Sequence, residues 1–432
     1  MHTAVIGGGL SGLSAAIRLA QQGAKVDLFE AAPALGGRTR SFFEPQTGQW
    51  VDNGPHLLSG AYQETLALLD EASAADNIHW QSSLQLPLWD KARGHFMLAP
   101  GPKLPLALAL PLACARLPGH TWADIPALLR LARAMKQSPD PALQVNTWLK
   151  AARLPDALIL DLLEPLCIGA MNEPLHSANA ASFAGVLRDA FSGHAHARLG
   201  WFRKPLSEAL IAPLNEMAEK LGVRIYTACR IKGVRPCKEG FELQTSARTY
   251  AARGCILALP LRSTQQLMGW PVSAETRRIR NIHLWINNYP ALPEPFIGGI
   301  GTVGQWFFDI SSQMQKGPAL GKSPSLRHFC AVISADEARI SAPKLQQNIC
   351  LELQQISATQ RPVQPDFIRT ISEHRATTSI CTDSSYTDFK ASLPAGLFDA
   401  SEAPVPGEIP ATIEYAIKRG NLAATQCLNH FN

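Results

Sequence analysis

The amino-acid sequence predicts an α/β fold, in which a parallel sheet is interleaved with a second, mainly helical plus sheet unit. Three observations predict it. His2–Ile6 is a short apolar run fit for a buried strand. Gly7-Gly8-Gly9-Leu10-Ser11-Gly12 comes next without a spacer, and Leu13, Ala16, Ile17 and Ala20 then recur at helical spacing, with Gly23 where a C-cap is wanted. Lys25–Phe29 is a second strand, and it delivers Glu30 at its end. Strand, glycine turn, helix, strand and acid in this order make a dinucleotide-binding βαβ unit of the Rossmann type. Gly7 permits the tight turn, Gly9 lets backbone approach a pyrophosphate, and Gly12 lets helix and strand pack closely. The helix N-terminus offers unpaired N–H groups to phosphate. Glu30 can accept from the two ribose hydroxyls of an adenosine and would repel a 2′-phosphate.

The residues after Glu30 narrow the cofactor. Gly36-Gly37-Arg38 adds a second glycine pair and an arginine that a nicotinamide enzyme does not need. A protein that keeps a whole FAD needs both: glycines for close backbone passage, Arg38 to pair with phosphate. The run from Glu30 to Arg38 resembles the second motif of the flavin-containing amine oxidase and phytoene desaturase superfamily.

Composition sets outer bounds. A chain of 432 residues is too long for one core and calls for two domains. With 46% hydrophobic and 17% charged residues it reads as globular, and a net charge of +5 gives no nucleic-acid footprint, although it suits an anionic membrane surface. The nine cysteines are scattered and never form CxxC, which argues against a disulfide framework or zinc site and for a reducing compartment. His194 and His196 lack a third ligand type nearby, so no metal is expected. No signal peptide precedes the first strand, and the expected location is the cytoplasm, with peripheral contact on the inner face of the cytoplasmic membrane as a further option.

Along the chain, Trp50–His56 reads as a strand ending in Gly54-Pro55, and Leu57–Leu69 as a helix carrying Leu58, Tyr62, Leu66 and Leu69 on one face. Leu104–Ala115 is wholly apolar, bracketed by Lys103 and Arg116. It is short of the roughly 20 residues of a membrane span and contains Pro105 and Pro111. A buried helix is the favoured reading and a lipid-touching surface patch the other. Residues 123–175 read mostly as helices, and Ala178–Phe191 as another. Leu206–Leu221 is a helix, with short strands after it at 223–226, 230–234, 240–245 and 254–258. Trp285 and Gln305-Trp306-Phe307-Phe308 read as core aromatics, and apolar walls also suit a hydrocarbon. Pro410–Ile417 starts the last helix, with Pro410 just inside it and Gly420 interrupting a later turn. The domain expectation is a discontinuous cofactor domain at 1–85, 205–265 and 371–432, and a substrate domain at 86–204 and 266–370.

Within the superfamily, several runs resemble the hydroxysqualene dehydroxylases, the squalene-associated FAD-dependent desaturase-like family. They are Asp52–His56 continuing to Gly60-Ala61-Tyr62, Glu164–Cys167 continuing to Asn172-Glu173-Pro174, Ser182–Arg188, Gln305–Phe308, Arg375-Ala376-Thr377 and Pro410–Glu414. The resemblance implies FAD held non-covalently, with Gly54 beside the flavin, Ile231 at the adenine, and the last helix aiming its start, Thr412 and Ile413, at the flavin carbonyl. The family's Gly-Asp pair before that helix is missing; Phe398-Asp399 is the nearest counterpart, and Asp399 takes the cofactor contact. The implied reaction removes the hydroxyl of hydroxysqualene to give squalene, in hopanoid or related triterpenoid synthesis. Protonated loss of water from an allylic alcohol leaves a delocalised cation that hydride can quench, which requires an apolar tunnel, an acid and an unidentified electron donor. His56 and Tyr62 are the candidate acids. A carotenoid-type desaturase, an amine oxidase and a non-catalytic FAD-binding lipid carrier remain as alternatives.

Overall fold

In the computed structural model, which describes residues 2–272, 275–315, 325–336, 340–409 and 412–431, five parallel strands form one sheet. Their order is Arg224–Tyr226, Lys25–Phe29, His2–Ile6, Gly254–Leu257 and Leu397–Asp399. The alternation of side chains across a strand explains its two-sided burial. Val5, Leu28 and Ile256 join a core with the helices Leu10–Gln21 and Ile413–Phe431. Ile6, Phe29 and Leu257 point the other way, onto Phe241 and Leu243. Those two belong to a three-stranded antiparallel meander of Gly233–Cys237, Gly240–Gln244 and Thr249–Ala252.

The first and last helices pack closely because both present small residues. A methyl group at Gly420 would lie 2.1 Å from the Ser11 carbonyl oxygen, so only glycine permits this approach. Gly420 therefore does not interrupt the last helix, as the sequence suggested; the helix runs through it to Phe431. Helix propensity loses here to a tertiary contact. Pro410 and Ala411, expected at the start of this helix, lie outside the described residues.

A second sheet has seven strands in the order Phe367–Thr378, Thr276–Asn287, Leu326–Ile333, Trp306–Asp309, Phe296–Ile300, Leu86–Asp90 and Gly94–Leu98. Phe307 and Phe329 pack beneath the helix Ala342–Ile356, while Trp306 and Phe308 face Leu88, Leu106 and Trp201 on the other side. Trp285 is fully buried, so these aromatics are core, as expected. The sheet's long edge strand, Phe367–Thr378, crosses the anticipated junction at 370/371. Helices Val145–Ala151, Glu164–Met171 and Ala180–Ala190 share a separate core around Phe183.

One element differs in kind from the sequence reading. Leu57–Ser59 is a strand paired with Leu199–Phe202, and the helix begins only at Gln63, with Tyr62 as its N-cap. The apolar spacing that suggested a longer helix arises from one strand and one helix placed end to end. The described residues contain no helix long and apolar enough to cross a membrane. Nor do they contain a group of three or more His, Cys, Asp or Glu side chains able to hold a metal ion.

Candidate functional site

The site forms at the carboxyl ends of the parallel strands, where open α/β sheets offer a crevice. The Gly7 N–H donates to the Phe29 carbonyl at 2.8 Å and the Glu30 N–H to the Tyr226 carbonyl at 2.8 Å, which align three strand ends. Gly12 is forced: a methyl there would stand 1.8 Å from the Gly7 carbonyl oxygen. Gly9 is the opposite case. It caps the helix Leu10–Gln21 with no side chain, the first turn holds no acid, and nothing lies within 4 Å of where its Cβ would be. An uncompensated positive helix end facing open space fits the phosphates of a flavin nucleotide. Leu10 is buried in the core, and the Ser11 hydroxyl donates to the Ala400 carbonyl at 2.7 Å, which ties the helix start to the turn after the fifth strand.

Glu30 accepts from the Gly8 N–H at 2.7 Å and from the Ala32 N–H at 2.7 Å, which fixes its carboxylate at the strand end. The Gly36 N–H donates to the Gly8 carbonyl at 2.8 Å, tying the second glycine pair to the first turn. Gly37 lies against Gly9, a methyl on it falling 3.4 Å from the Gly9 Cα. Ile231 is buried beside Phe29 and Phe241.

Arg38 reaches across to residues far along the chain. It donates to the Ala376 carbonyl at 2.6 Å and forms an ion pair with Glu402. Thr378 in turn donates to Glu402. Glu402 is a site residue that sequence reasoning missed, because the motif expected there is a Gly-Asp pair and its nearest counterpart is Asp399. Asp399 ends the fifth strand and turns inward: the Tyr386 hydroxyl donates to it at 2.6 Å, Arg419 sits at 3.2 Å, and its other oxygen accepts from the Ser401 N–H at 2.9 Å. Asp399 thus shapes the turn that carries Glu402 toward Arg38. In the sequence, Glu402 is visible only as one carboxylate among several.

The Asp52–His56 segment is anchored from three sides. Asp52 accepts from the Ser41 hydroxyl at 2.6 Å and the Leu206 N–H at 2.9 Å, and burial raises its pKa to about 6. Asn281 donates to the Asn53 carbonyl at 2.8 Å, and a methyl at Gly54 would fall 2.6 Å from that same amide nitrogen. His56 Nδ1 lies 2.8 Å from the Gly54 carbonyl, which can only accept, so Nδ1 carries the hydrogen. Burial, with a smaller contribution from nearby Arg38, lowers the His56 pKa despite that bond. The ring is therefore held neutral, with Nε2 as an acceptor. Tyr62 is half-buried, and burial together with Glu414 pushes its phenol up to about 12, so it keeps its proton.

Glu414, in the first turn of the last helix, accepts from the Glu64 and Thr65 N–H groups at 2.9 and 2.8 Å. It caps the helix that Tyr62 begins and pins the two helix starts together. Thr412 accepts from the Tyr415 N–H at 3.1 Å and precedes Ile413, the first helical residue, which is buried. Further out, Asn172 donates to the Thr377 hydroxyl at 2.9 Å and accepts from the Ala335 N–H at 2.6 Å. Its αL conformation ends the helix Glu164–Met171. The scattered motifs at 38, 172 and 376–377 therefore meet along one strand. His194 and His196 are not drawn together on a ligand: His194 bonds the Leu104 carbonyl and His196 bonds Ser192.

Comparison with known proteins points the same way. The chain is 28% identical to a hydroxysqualene dehydroxylase of Rhodopseudomonas palustris, over 97% of this chain and 96% of that protein. It is 26% identical to one of Zymomonas mobilis, over 99% of each. The resemblance read in the sequence is borne out over nearly the whole length. In fold it is similar to the cyclohexylamine oxidase of Brevibacterium oxydans, with a TM-score of 0.70, 15% identity, and coverage of 100% of this chain and 99% of that one. The flavin containing amine oxidoreductase family matches across residues 10–366. With glycine turn, acid and second glycine pair assembled at one sheet end, the chain is a flavin-dependent oxidoreductase and belongs to the flavin containing amine oxidoreductase family.

Proposed function

We propose that this protein uses non-covalent FAD to remove the hydroxyl of hydroxysqualene reductively, releasing squalene and water. The observation that carries this reading is the similarity to hydroxysqualene dehydroxylases across nearly the whole length of both chains. In this reading the turn Gly7–Gly12 and the start of the helix behind it hold the pyrophosphate, and Glu30 the adenosine ribose. Ile231 packs on the adenine. Gly36, Gly37, Arg38 and Gly54 border the cofactor, and Thr412 and Ile413 present the positive end of the last helix to it. Asp399 supports the cofactor edge by fixing the turn that positions Glu402 against Arg38. When bound and reduced, a flavin supplies hydride to an allylic carbon.

The chain's own residues have the remaining tasks. The departing hydroxyl must leave as water, so a proton has to arrive from a group that still holds one. Tyr62 holds its proton, and His56 would deliver one as the imidazolium or receive one at Nε2. A hydrocarbon substrate also needs apolar surroundings that exclude bulk water from the ionising centre. The division into a discontinuous FAD domain (1–85, 205–265 and the C-terminal part) and a substrate domain (86–204 and 266 onward) belongs to the same proposal, with the last junction moved from 370/371 to beyond Thr378, where the edge strand ends. So do an external electron donor and peripheral contact with a membrane that stores the substrate.

Anaerobic mixing tests the reading. Prereduced protein with hydroxysqualene is expected to regain the yellow flavin absorbance while squalene appears. If only the oxidised protein reacts, bleaching as a polyene or an imine forms, a desaturase or amine oxidase takes its place.

A further inference from the structure

We propose that the face formed by residues 103–136 docks this protein on an anionic lipid bilayer; this rests on the reading above that its substrate is a membrane-stored lipid. Four of the ten large apolar side chains exposed by the described residues lie here: Leu104 (45% exposed), Leu108 (55%), Trp122 (56%) and Leu129 (50%). That is a patch rather than scatter.

The helix Leu106–Cys114 explains the patch. Its sequence, LALALPLAC, is apolar all round, yet only Leu106, Ala109, Pro111 and Cys114 are buried. A surface helix ordinarily turns a polar face to water, and this one has none. Leu108 and Leu112, one turn apart, form an apolar stripe on this helix, with Leu104 exposed just before its start and the Arg116 cation exposed just past its end. The Arg116 guanidinium lies 5.7 Å from the Trp122 ring centroid, which joins this stripe to a second. Pro126, Leu129 and Arg133 are exposed at helical spacing along the next helix, Ile125–Ala134, and Trp122 is exposed in the short 3-10 turn that leads into it. Beside the first stripe lies an open cleft of about 500 Å³, lined by Met97, Lys103, Leu104, Leu112, Arg116 and Leu117.

Charge selects the occupant. Residues 103–136 hold five cations, Lys103, Arg116, Arg130, Arg133 and Lys136, against a single acid, Asp124. Asp124 is turned back on the Thr121 N–H and His120, so it does not offset them at the surface. An apolar face with a tryptophan and a cationic rim matches the depth profile of an anionic bilayer: acyl chains, interface, phosphate. A helix of nine residues with this pattern lies in the interface and does not span.

Sedimentation of the full-length holoprotein with vesicles tests this, using phosphatidylcholine with and without phosphatidylglycerol. Wild type is expected to pellet with the anionic vesicles and to be released by salt. Leu108→Gln/Trp122→Gln, with unchanged flavin absorbance, should stay in the supernatant. Arg116→Gln/Arg133→Gln should lose about five-fold in affinity per cation on anionic vesicles only. The proposal is overturned if wild type ignores anionic vesicles, if its binding is indifferent to salt, or if the Leu108→Gln/Trp122→Gln variant binds as wild type does. It also fails if light scattering shows a dimer that the apolar variant splits, since a second copy would then cover the face. Squalene formation from substrate in detergent micelles should match wild type in both variants; absence of that reaction in wild type would sink the substrate reading and leave the docking result standing.

Discussion

The Glu30 carboxylate accepts a hydrogen bond from the Gly8 N–H at 2.7 Å, so the acid that ends the second strand braces the glycine turn that ends the first. Replacing Glu30 removes a ribose acceptor and this brace together. Glu30→Ala is expected to weaken FAD binding by about 1.5–3 kcal/mol, or roughly ten- to a hundredfold, because bonds to a charged group are at stake. Titrating the deflavinated variant with FAD measures it, and unchanged affinity would place the ribose elsewhere.

Gly9 and Gly12 should fail differently, although both belong to one motif. A side chain at Gly9 enters open space, so Gly9→Val should fold with a wild-type melting curve and purify colourless. Gly12→Ala puts a methyl 1.8 Å from the Gly7 carbonyl oxygen and should cost about 3 kcal/mol of stability before any cofactor is added. Melting curves of the two apoproteins, side by side, separate the cases.

Asp52 gives a pH signature. Its folded pKa of about 6 lies above the unfolded value of 3.8, so the folded chain binds the extra proton between those values. Stability from this group is intact below the unfolded pKa and is lost as pH rises toward 6, a change of about 2–3 kcal/mol. Asp52→Asn keeps an acceptor for Ser41 and Leu206 and should remove that slope. Its melting temperature should pull ahead of wild type from pH 4 to 6 and stay ahead above; parallel curves would contradict the raised value.

For catalysis, Tyr62→Phe and His56→Ala discriminate the two candidate acids. The residue that protonates the leaving hydroxyl should, when replaced, lower single-turnover squalene formation by about 10²-fold or more without releasing flavin. If Tyr62 is the donor, Tyr62→Phe is the crippled variant. His56, held neutral, would then change the rate mainly at low pH.

Asp399 and Arg419 are both buried and paired, so Asp399→Ala leaves a buried guanidinium without its partner. The expected loss is about 3–5 kcal/mol of stability. Flavin content per folded molecule should fall less than in Gly9→Val. Flavin loss with an unchanged melting temperature would instead make Asp399 a direct cofactor contact.

Much of the cofactor end was legible because its signals are local. His2–Ile6, the glycine turn, the helix start and Lys25-to-Glu30 lie within thirty residues, and each is dictated by neighbours in sequence: β-branched residues for strands, missing side chains for turns, an acid at a strand end. The apolar character of 104–115 was equally plain, but the favoured reading of a buried helix holds for only one side of it, since Leu104 and Leu108 are exposed. That depended on which residues of the helix met the rest of the fold, with Leu106 covered and Leu108 left bare. Only tertiary structure could decide the pairing of Arg38 with Glu402 and Ala376, or of Asn172 with Thr377, since these contacts join residues hundreds of positions apart and leave no periodicity in the chain. The same holds for Gly420, whose helix-breaking tendency is real locally and is overruled by the Ser11 backbone it allows to approach. Sequence alone determined the elements that short-range sterics and burial impose; the packing of distant segments decided which polar groups face one another.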